Sequence, residues 1–499
     1  MNTPMTPGEI ERQPARLTAR PRLRTIERTN EERHASWLEL FFDLVFVLAV
    51  AQVAYTLSHD LTTGGALRYF ALFAPVWWAW VGYTFYADRF ESEEYVYRLL
   101  MFAGMLAVVA LAVNVRGAFT IGGGFAFALS YVAVRAVLIV LYARAAYHVP
   151  LARELCVRYI IGFGIGAALW FVSAFVDAPA RYWLWAGGLA VELLTPALSN
   201  RIVNRTPFDT SHIPERFGLF TIIVLGEAVV ATANGALEVE WRASSMLTAG
   251  AGFAVAAALW WIHFEFVEDY ALRSARMTSR YVYLYGHFFT VAGVVVTGIG
   301  VEHAITEAGN TAASLATRIA LCGGAALFLV AITAVRLATG ICLLVRTRLI
   351  AIGIVCALLA AGAFVPPLAL TGLLLAVLIG EVWLESTYDE SSRSGEGVKE
   401  PPQKCAHLNE TRPVTPNSDG CEECIKGKQK WVHLRLCLIC GHVGCCDSSK
   451  NKHATGHFDA TGHPVMKSLE AGESWAWCYV DGIFVAGEQL AGESLKSEA

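Results

Sequence analysis

Residues 38–57 read LELFFDLVFVLAVAQVAYTL, an apolar run interrupted by few polar side chains. Because an α-helix needs about 20 apolar residues to cross the hydrocarbon core of a bilayer, this run predicts a transmembrane helix. We expect about twelve such helices along the chain, although very short connections within two pairs leave the count open. The segments begin near Leu38, Leu67, Leu99, Phe125, Val157, Trp183, Phe217, Met246, Val282, Ala313, Ile350 and Leu368.

The composition agrees with a membrane protein. Hydrophobic residues make up 55% of the 499 residues and charged residues only 16%, whereas soluble domains carry roughly 25% charge. The net charge of −4 provides no basic surface for nucleic acid, which we exclude as a partner. The expected fold is an all-α polytopic membrane bundle in a lipid bilayer, followed by a small C-terminal domain of different character.

Arginines are distributed unevenly between the loops. We expect the Arg-rich tail at residues 1–36 to be disordered and cytosolic. With that orientation, fourteen loop arginines fall on the cytoplasmic side and five outside. Cytoplasmic loops of membrane proteins carry the excess of Arg and Lys, so this distribution supports the orientation. An even number of helices then returns the C-terminus to the cytosol.

Short matches between the two halves of the chain indicate an internal duplication. They are Val47-Leu48-Ala49 with Val224-Leu225-Gly226, Trp77-Trp78 with Trp260-Trp261, and Tyr95-Val96-Tyr97 with Tyr281-Val282-Tyr283. Three matches in the same order predict two six-helix repeats in parallel orientation. Such repeats occur in transporters, whose substrate sites lie at the repeat interface near the bilayer midplane.

Ionisable residues inside the predicted helices have two interpretations. A charge in the bilayer core costs on the order of a few kcal/mol, so it faces a partner or a cavity. The acids could pair with buried arginines such as Arg135 and lock the bundle together, or they could line a polar pathway for a cation or proton. The candidates for the pathway are Asp43, Glu227, Glu192, Glu39, His287, Glu302 and His303, with Glu227 and Asp43 foremost.

Three motifs in this part of the chain resemble the low temperature requirement A (LtrA) family. They are ELFFDLVF at residues 39–46, RFGLFTIIVLGE at residues 216–227, and YGH at residues 285–287 followed by GVEHA at residues 300–304. The resemblance covers roughly residues 37–385 and implies a bacterial integral membrane protein, hence the inner membrane. It implies no established substrate or reaction. We place the membrane domain at residues 37–387.

The sequence changes character after residue 387. All nine lysines lie at Lys399 or later, and eight of the twelve cysteines lie between Cys405 and Cys478. Residues 388–402 are rich in Ser, Glu, Gly and Pro, which predicts a flexible linker, and residues 488–499 form a tail. At residues 403–487 the cysteines are interleaved with histidines. Such a cluster is a disulfide scaffold or a metal site, and the reducing cytosol favours zinc.

Two Cys-x-x-Cys pairs begin at Cys421 and Cys437, and each pair lets two thiolates reach one tetrahedral zinc ion. The domain resembles the ubiquitin-carboxyl-hydrolase-type (UBP) zinc finger, which implies a small α+β fold and up to three zinc ions. His433 and His442 match no ligand position. The resemblance implies three ligand sets: Cys421, Cys424, Cys445 and His453; Cys437, Cys440, His457 and His463; and Cys405, His407 and Cys478, with Asp481 where the family has a fourth cysteine.

Eukaryotic members of this finger family bind the free C-terminus of ubiquitin in an aromatic pocket. The resemblance places Trp431 and Trp477 at the walls of such a pocket. However, Cys446 and Asp447 follow Cys445, where the family has an arginine that reads the carboxylate. An acidic side chain there repels a carboxylate. Ubiquitin is therefore a doubtful partner, and another peptide or protein C-terminus is the alternative.

These features leave three functions open. The first is a transporter- or channel-like protein with an ion or small-solute pathway, whose zinc finger senses zinc or docks a partner. The second is a membrane anchor that presents the finger as an interaction module without transport. The third, an intramembrane enzyme, ranks last because no Ser/His/Asp set or metal-binding helix motif stands out, and we predict no catalytic residue.

Overall fold

The structure is a computed structural model that describes residues 21–23, 35–91, 94–120, 122–199, 212–240, 242–265, 277–339, 345–393, 405–446, 449, 451–470, 475–480 and 483–485. The chain folds as two compact units, residues 1–389 and 390–499. Each unit has its own buried core.

The first unit is helical, as predicted. Its described residues form twelve long helices, each beginning within a few residues of an expected segment. They are α1 (Trp37–Ser58), α2 (Thr63–Arg89), α3 (Tyr95–Val115), α4 (Gly123–His148), α5 (Arg153–Ser173), α6 (Ala180–Leu198), α7 (His212–Leu237), α8 (Ala243–Phe264), α9 (Met277–Thr306), α10, α11 (Val345–Ala361) and α12 (Pro367–Arg393). Helix α10 begins as Leu315–Arg318, passes through a π-helical turn at Ile319–Gly323 and continues as Gly324–Thr339.

Nine of these helices are long and apolar enough to cross a membrane, considering only the residues that the structure describes. The other three are α2, α6 and α11. Helix α11 has only 17 residues, and α2 is rich in Trp and Tyr, which score low on hydropathy scales. The chain is therefore a multi-pass membrane protein, while the exact number of twelve spans stays a prediction.

Helix α2 lies at the centre of the bundle, where it contacts α1, α4, α7 and α9. Its Trp77, Trp78, Trp80, Tyr83 and Tyr86 are all buried. Large aromatic side chains bury much apolar area and pack edge-on against each other. The aromatic residues that lower its hydropathy are thus the ones that place α2 in the core.

Helices α9 and α10 pack with their backbones unusually close. A Cβ atom on Gly293 would lie only 2.7 Å from the backbone nitrogen of Phe328, and one on Gly324 would meet the backbone of Thr297 at 2.5 Å. Small residues permit such an approach between membrane helices, where van der Waals packing drives association. The glycines of both helices therefore determine this interface.

The two halves of the bundle share packing partners. Helix α1 packs on α3 and α3 on α4, just as α7 packs on α9 and α9 on α10. The tryptophan pairs differ, because Trp77 and Trp78 are buried whereas Trp260 and Trp261 are 44% and 47% exposed. The packing agrees with a six-plus-six repeat, which stays a prediction.

The structure departs from the expected termini of the membrane domain in two places. Residues Arg22–Leu23 pair antiparallel with Phe90–Glu91, so part of the N-terminal tail is a strand (β1) on a strand (β2) that follows α2. The expectation of disorder for residues 1–36 does not hold for this short pairing and otherwise falls largely outside the described residues. Helix α12 continues through Arg393, into the stretch expected to be a linker.

The second unit has the expected small α+β fold. Five antiparallel strands lie in the order β4-β3-β5-β6-β7. They are β3 (Leu434–Cys437), β4 (Val443–Cys445), β5 (Val465–Ser468), β6 (Ala476–Cys478) and β7 (Ile483–Val485). Two short helices, α13 (Glu422–Lys426) and α14 (His453–Thr461), accompany the sheet.

Candidate functional site

Among the described residues of the first unit, three groups of buried Arg–carboxylate pairs join helices, besides a pair between Arg144 of α4 and Glu94 before α3. In the first, Arg216 of α7 lies 2.6 Å from the Asp43 carboxylate of α1 and 3.5 Å from that of Glu39. The indole N–H of Trp80 in α2 donates to the same Asp43 oxygen at 2.8 Å. All four side chains are buried. This group fastens α1, α2 and α7 together at one end of the bundle.

The second group joins α4 to α6. The Glu192 carboxylate lies 2.5 Å from the Arg135 guanidinium and accepts a 2.6 Å hydrogen bond from the Tyr131 hydroxyl. Arg135 also donates to the Tyr131 oxygen at 3.0 Å. Glu192 is thus neutralised by an arginine and a hydroxyl, both buried.

The third group joins α10, α11 and α12. Arg348 lies 2.6 Å from Glu385 and 3.3 Å from Glu381. Arg336 approaches Glu385 at 3.2 Å. Each half of the bundle therefore carries an Arg–Glu pair between its fourth and sixth helices.

These contacts distinguish between the two interpretations of the intramembrane acids. Asp43, Glu39 and Glu192 are held by buried arginines, which agrees with the locking interpretation. The pathway role of Asp43 stays a prediction. Arg216 is an unsuspected partner because sequence analysis counted it among the loop arginines.

Glu227 and Glu302 have a different environment, because they line a cavity of about 490 Å³. The cavity lies between α1, α7 and α9. Glu238, directly after α7 and about three helical turns beyond Glu227, also lines it. Polar side chains of Gln52 and Asn234 also line it. Small-molecule sites span roughly 300–1,000 Å³, so the cavity has room for a hydrated ion or a small solute.

The acids in the cavity are only lightly engaged. Glu227 makes no ion pair or hydrogen bond in the described structure. Glu302 accepts a 3.2 Å hydrogen bond from the Ser58 hydroxyl, and the Nε2 of His303 lies 2.9 Å from the Ser58 carbonyl oxygen. Two of the predicted pathway acids therefore face open space, and His303 supports the helix contact beside them.

Arg116, directly after α3, also lines the cavity. Its guanidinium donates to the Gln52 side-chain oxygen at 2.7 Å and lies 3.4 Å from the centre of the Tyr55 ring. The Arg116 guanidinium thus contacts two uncharged side chains of α1. Three carboxylates and one arginine give the cavity an acidic character when the carboxylates are ionised.

An aromatic layer closes the bundle between the cavity and the Asp43–Arg216 pair. The ring of Trp80 lies 4.3 Å from that of Phe220 and 4.9 Å from that of Phe217. Trp77 packs edge-on against both phenylalanines. At about 1.5 Å per residue, Phe220 lies roughly 10 Å along α7 from Glu227.

His287 lies in this packed region and not at the cavity. Its Nδ1 is 2.8 Å from the Tyr283 carbonyl oxygen, and its ring contacts Phe217 edge-on at 5.2 Å. The ring of His263, also buried, is 5.6 Å away. The structure thus places His287 with the closing layer, apart from Glu227 and Glu302.

In the second unit, the predicted zinc ligands come together in three clusters. Bonds of about 2.3 Å to sulfur and 2.0–2.1 Å to nitrogen place tetrahedral ligand atoms about 3.3–3.8 Å apart. In the first zinc cluster, the Nδ1 of His453 lies 3.1, 3.3 and 3.4 Å from the sulfurs of Cys421, Cys424 and Cys445. Burial raises the pKa of Cys421 to about 12, so zinc has to displace a proton there.

The second zinc cluster is formed by Cys437, Cys440, His457 and His463. The Cys440 sulfur lies 3.3 Å from the Nε2 of His457, and the Cys437 sulfur lies 3.5 Å from the Nδ1 of His463. The two imidazole nitrogens are 3.2 Å apart. These separations fit the edges of a tetrahedron with zinc at its centre.

The third zinc cluster contains Cys405, His407 and Cys478. The Cys478 sulfur lies 3.7 Å from the Nδ1 of His407. Asp481, the fourth ligand implied by the resemblance, lies outside the described residues. The finger thus has Cys/His clusters that could hold up to three zinc ions.

His442 belongs to no cluster but contacts His457 of the second zinc cluster and Glu423, which lies between two ligands of the first. Its Nε2 lies 2.7 Å from a Glu423 carboxylate oxygen, and its ring stacks on that of His457 with centroids 4.1 Å apart and planes 5° apart. Burial tends to raise the pKa of Glu423, yet hydrogen bonds from its own backbone N–H and from His442 lower the pKa below its usual value. No Cys/His ligand spacing in the sequence includes His442, so its position becomes evident only in the folded domain.

The two tryptophans of the expected peptide pocket lie on different elements. Trp431 precedes β3, is 37% exposed and covers Gly420, whose Cβ position is 2.8 Å from the indole. Trp477 is half-buried on β6, opposite Met466 of β5. Asp447 lies outside the described residues. The peptide pocket itself stays a prediction.

Comparisons with known proteins agree with this architecture. A family model described as bacterial low temperature requirement A protein (LtrA) matches residues 34–382, and one described as a Zn-finger in ubiquitin-hydrolases and other protein matches residues 421–490. An uncharacterised protein of Rhizobium meliloti (strain 1021) is 28% identical over 298 residues, which cover 56% of this chain and 71% of that protein. The solution NMR structure of a Rhodopseudomonas palustris protein is 51% identical, with a TM-score of 0.17, over 17% of this chain and 86% of that one.

Proposed function

The chain belongs to the bacterial low temperature requirement A family, and we propose that its membrane domain moves a cation or a small cationic solute through the acid-lined cavity. The observation that carries this proposal is the contrast between two sets of acids. Asp43, Glu39 and Glu192 each have an arginine partner, whereas Glu227 faces a cavity of about 490 Å³ without one.

Electrostatics support a cation as the occupant. Placing an ionisable side chain in a membrane domain costs free energy unless the side chain pairs with another group or faces a polar cavity. Glu227 and Glu302 lie on neighbouring helices of one wall, and clefts lined by one sign of charge raise the local concentration of counter-ions. A cation entering the cavity would supply the positively charged partner that Glu227 lacks in the described structure and would add one beside Glu302.

The closed side of the cavity supports a gated pathway. Below Glu227, the aromatic layer of Trp77, Trp80, Phe217 and Phe220 fills the space between the helices, and the Asp43–Arg216 pair lies beyond it. We assign the cavity to the extracytoplasmic side and the ion pair to the cytoplasmic side, following the distribution of arginines. The described conformation is then open outward and closed inward, in a bacterial inner membrane with both termini in the cytoplasm.

The test is charge movement in reconstituted vesicles. Purified protein is adsorbed on a solid-supported membrane, and concentration jumps of Na⁺, K⁺, Mg²⁺ and ethylammonium are applied while the displaced charge is recorded. A response to one of these cations that is lost in Glu227→Gln and Glu302→Gln supports the proposal. A response that both variants retain contradicts it.

Two control variants distinguish a role of the cavity acids from effects of surface charge and of folding. Glu240→Gln changes an exposed acid in a loop beyond α7 and should leave the response unchanged. Glu192→Gln removes a buried acid that pairs with Arg135, so it should reduce the amount of folded protein but not the response per folded molecule. Equal loss in Glu192→Gln and Glu227→Gln would favour a structural role for both acids.

The zinc finger serves as a cytosolic sensing or docking module in this proposal. Its ligand sets are those of the three clusters, with Asp481 completing the third, because aspartate oxygen can replace a thiolate on zinc. Trp431 and Trp477 would contact a peptide or protein C-terminus. If wild-type vesicles give no cation response, the alternative of a membrane anchor that presents the finger is favoured instead.

A further inference from the structure

We propose that His442 is a positioning residue that couples the first and second zinc clusters of the finger, so that zinc in one cluster strengthens zinc binding in the other. His442 lies in the turn between β3 and β4, two residues after Cys440 of the second zinc cluster. Its side chain is 7% exposed. It contacts Glu423, which lies beside the first cluster, and His457, a ligand of the second, and each contact has a separate consequence.

The first contact acts on the first zinc cluster through Glu423. One carboxylate oxygen of Glu423 lies 2.7 Å from the Nε2 of His442, and the other accepts a 3.6 Å hydrogen bond from the Cys421 thiol. With zinc bound, Cys421 is a thiolate and no longer donates to Glu423. The carboxylate would then lie next to three thiolates, and the N–H of His442 is the donor that still satisfies it.

The second contact acts on the second zinc cluster through His457. The two imidazole rings stack with their planes 5° apart, and the Nε2 of His457 faces the Cys440 sulfur at 3.3 Å. A histidine ligand needs its ring held in the orientation that directs the ligating nitrogen at the metal, and outer-shell contacts supply that orientation. The flat stack against His442 fixes the ring plane of His457.

One side chain therefore spans two metal sites. Zinc in the first cluster orders α13 and with it Glu423, which holds His442 in the position from which it orients His457. Coupling between two binding sites is reciprocal, so the second cluster supports the first by the same factor. His433, the other histidine outside the clusters, is exposed and provides a matched control.

The experiment measures zinc affinity in the full-length protein in detergent, by competition with a chromogenic chelator. All measurements use a Cys478→Ser background, which disables the third cluster. There Cys424→Ser disables the first cluster and leaves the second to be measured, whereas His463→Ala does the reverse. We expect Cys424→Ser to weaken zinc at the second cluster by about tenfold, at the lower end of outer-shell effects. In the His442→Ala background, Cys424→Ser should change the affinity of the second cluster by less than about twofold.

Two further variants separate coupling from loss of folding. His442→Phe keeps a flat ring against His457 but lacks the N–H that Glu423 accepts, so it should weaken zinc at the first cluster by about tenfold and remove the effect of Cys424→Ser on the second. His433→Phe should change neither cluster. An undiminished effect of Cys424→Ser in the His442→Ala background would overturn the proposal, and so would equal losses in His442→Phe and His433→Phe.

Discussion

Arg216 of α7 lies 2.6 Å from Asp43 of α1, although the two residues are 173 positions apart in the chain. They join the first helices of the two halves of the bundle. Both are fully buried, and Trp80 donates a further hydrogen bond to the same carboxylate oxygen. The contact therefore connects the aromatic layer below the cavity to the interface between the halves.

Breaking this pair from one side should be strongly destabilising. In Asp43→Ala the Arg216 guanidinium stays buried next to Glu39 alone, and removing one partner of a buried pair costs about 3–5 kcal/mol. We expect a clear fall in the thermal unfolding midpoint of the detergent-solubilised protein. The triple variant Glu39→Gln, Asp43→Leu and Arg216→Met, which removes every charge of this group, should recover part of the loss. A midpoint equal to that of Glu240→Ala, which alters an exposed pair, would contradict the role of the contact.

Close packing of α9 on α10 gives a second prediction. In Gly293→Ala the new Cβ would lie 2.7 Å from the backbone nitrogen of Phe328, and overpacking of this kind costs about 1–3 kcal/mol. Gly226→Ala is the control, because its Cβ meets no atom within 4 Å and alanine favours a helix. Thermal unfolding should rank Gly293→Ala below wild type and Gly226→Ala at or above it. A higher unfolding midpoint for Gly293→Ala than for Gly226→Ala would refute the close contact between Gly293 and the Phe328 backbone.

Much of the membrane fold could be predicted from the sequence, because the length of an apolar segment is a local property. Each described helix begins near an expected segment. The partners of the buried acids could not be predicted, since Arg216 and Asp43 meet only through the fold. Helix α2 shows a further limit: its aromatic residues place it in the core but lower its hydropathy.

Zinc stoichiometry provides a third prediction. Cys478→Ser removes a sulfur from the third zinc cluster and should lower the zinc content by one ion per chain, whereas the neighbouring clusters stay loaded. Cys446→Ser is the control, because Cys446 is buried but belongs to no cluster. Metal analysis of the purified full-length protein measures both. An equal zinc content in Cys478→Ser and Cys446→Ser would exclude zinc from the third cluster.

The zinc ligands and the cavity were predictable to different degrees. The metal clusters could be predicted from cysteine and histidine spacings, because ligand pairs such as Cys421 and Cys424 lie close together in the sequence. The cavity depends on side chains from α1, α3, α7 and α9, and Glu238, Gln52 and Asn234 have no distinguishing sequence pattern. His442 could be identified only from the structure, since stacking and hydrogen bonding define its position.

Chemical labelling of the cavity tests the central claim most directly. A cysteine introduced by Asn234→Cys lines the cavity, whereas Val230, one turn earlier on α7, is 49% exposed and is not among the residues that line the cavity. Intact cells are treated with a cationic or an anionic membrane-impermeant methanethiosulfonate, and mass spectrometry of the α7 peptide gives both reaction rates.

An acidic cavity open to the outside predicts that the cationic reagent modifies Asn234→Cys about tenfold faster than the anionic one, as attraction into a charged cleft allows. Adding Glu227→Gln should reduce that ratio, and Val230→Cys should stay unmodified. Equal rates for the two reagents, or no reaction at Asn234→Cys, would contradict an acid-lined cavity that is open to the medium.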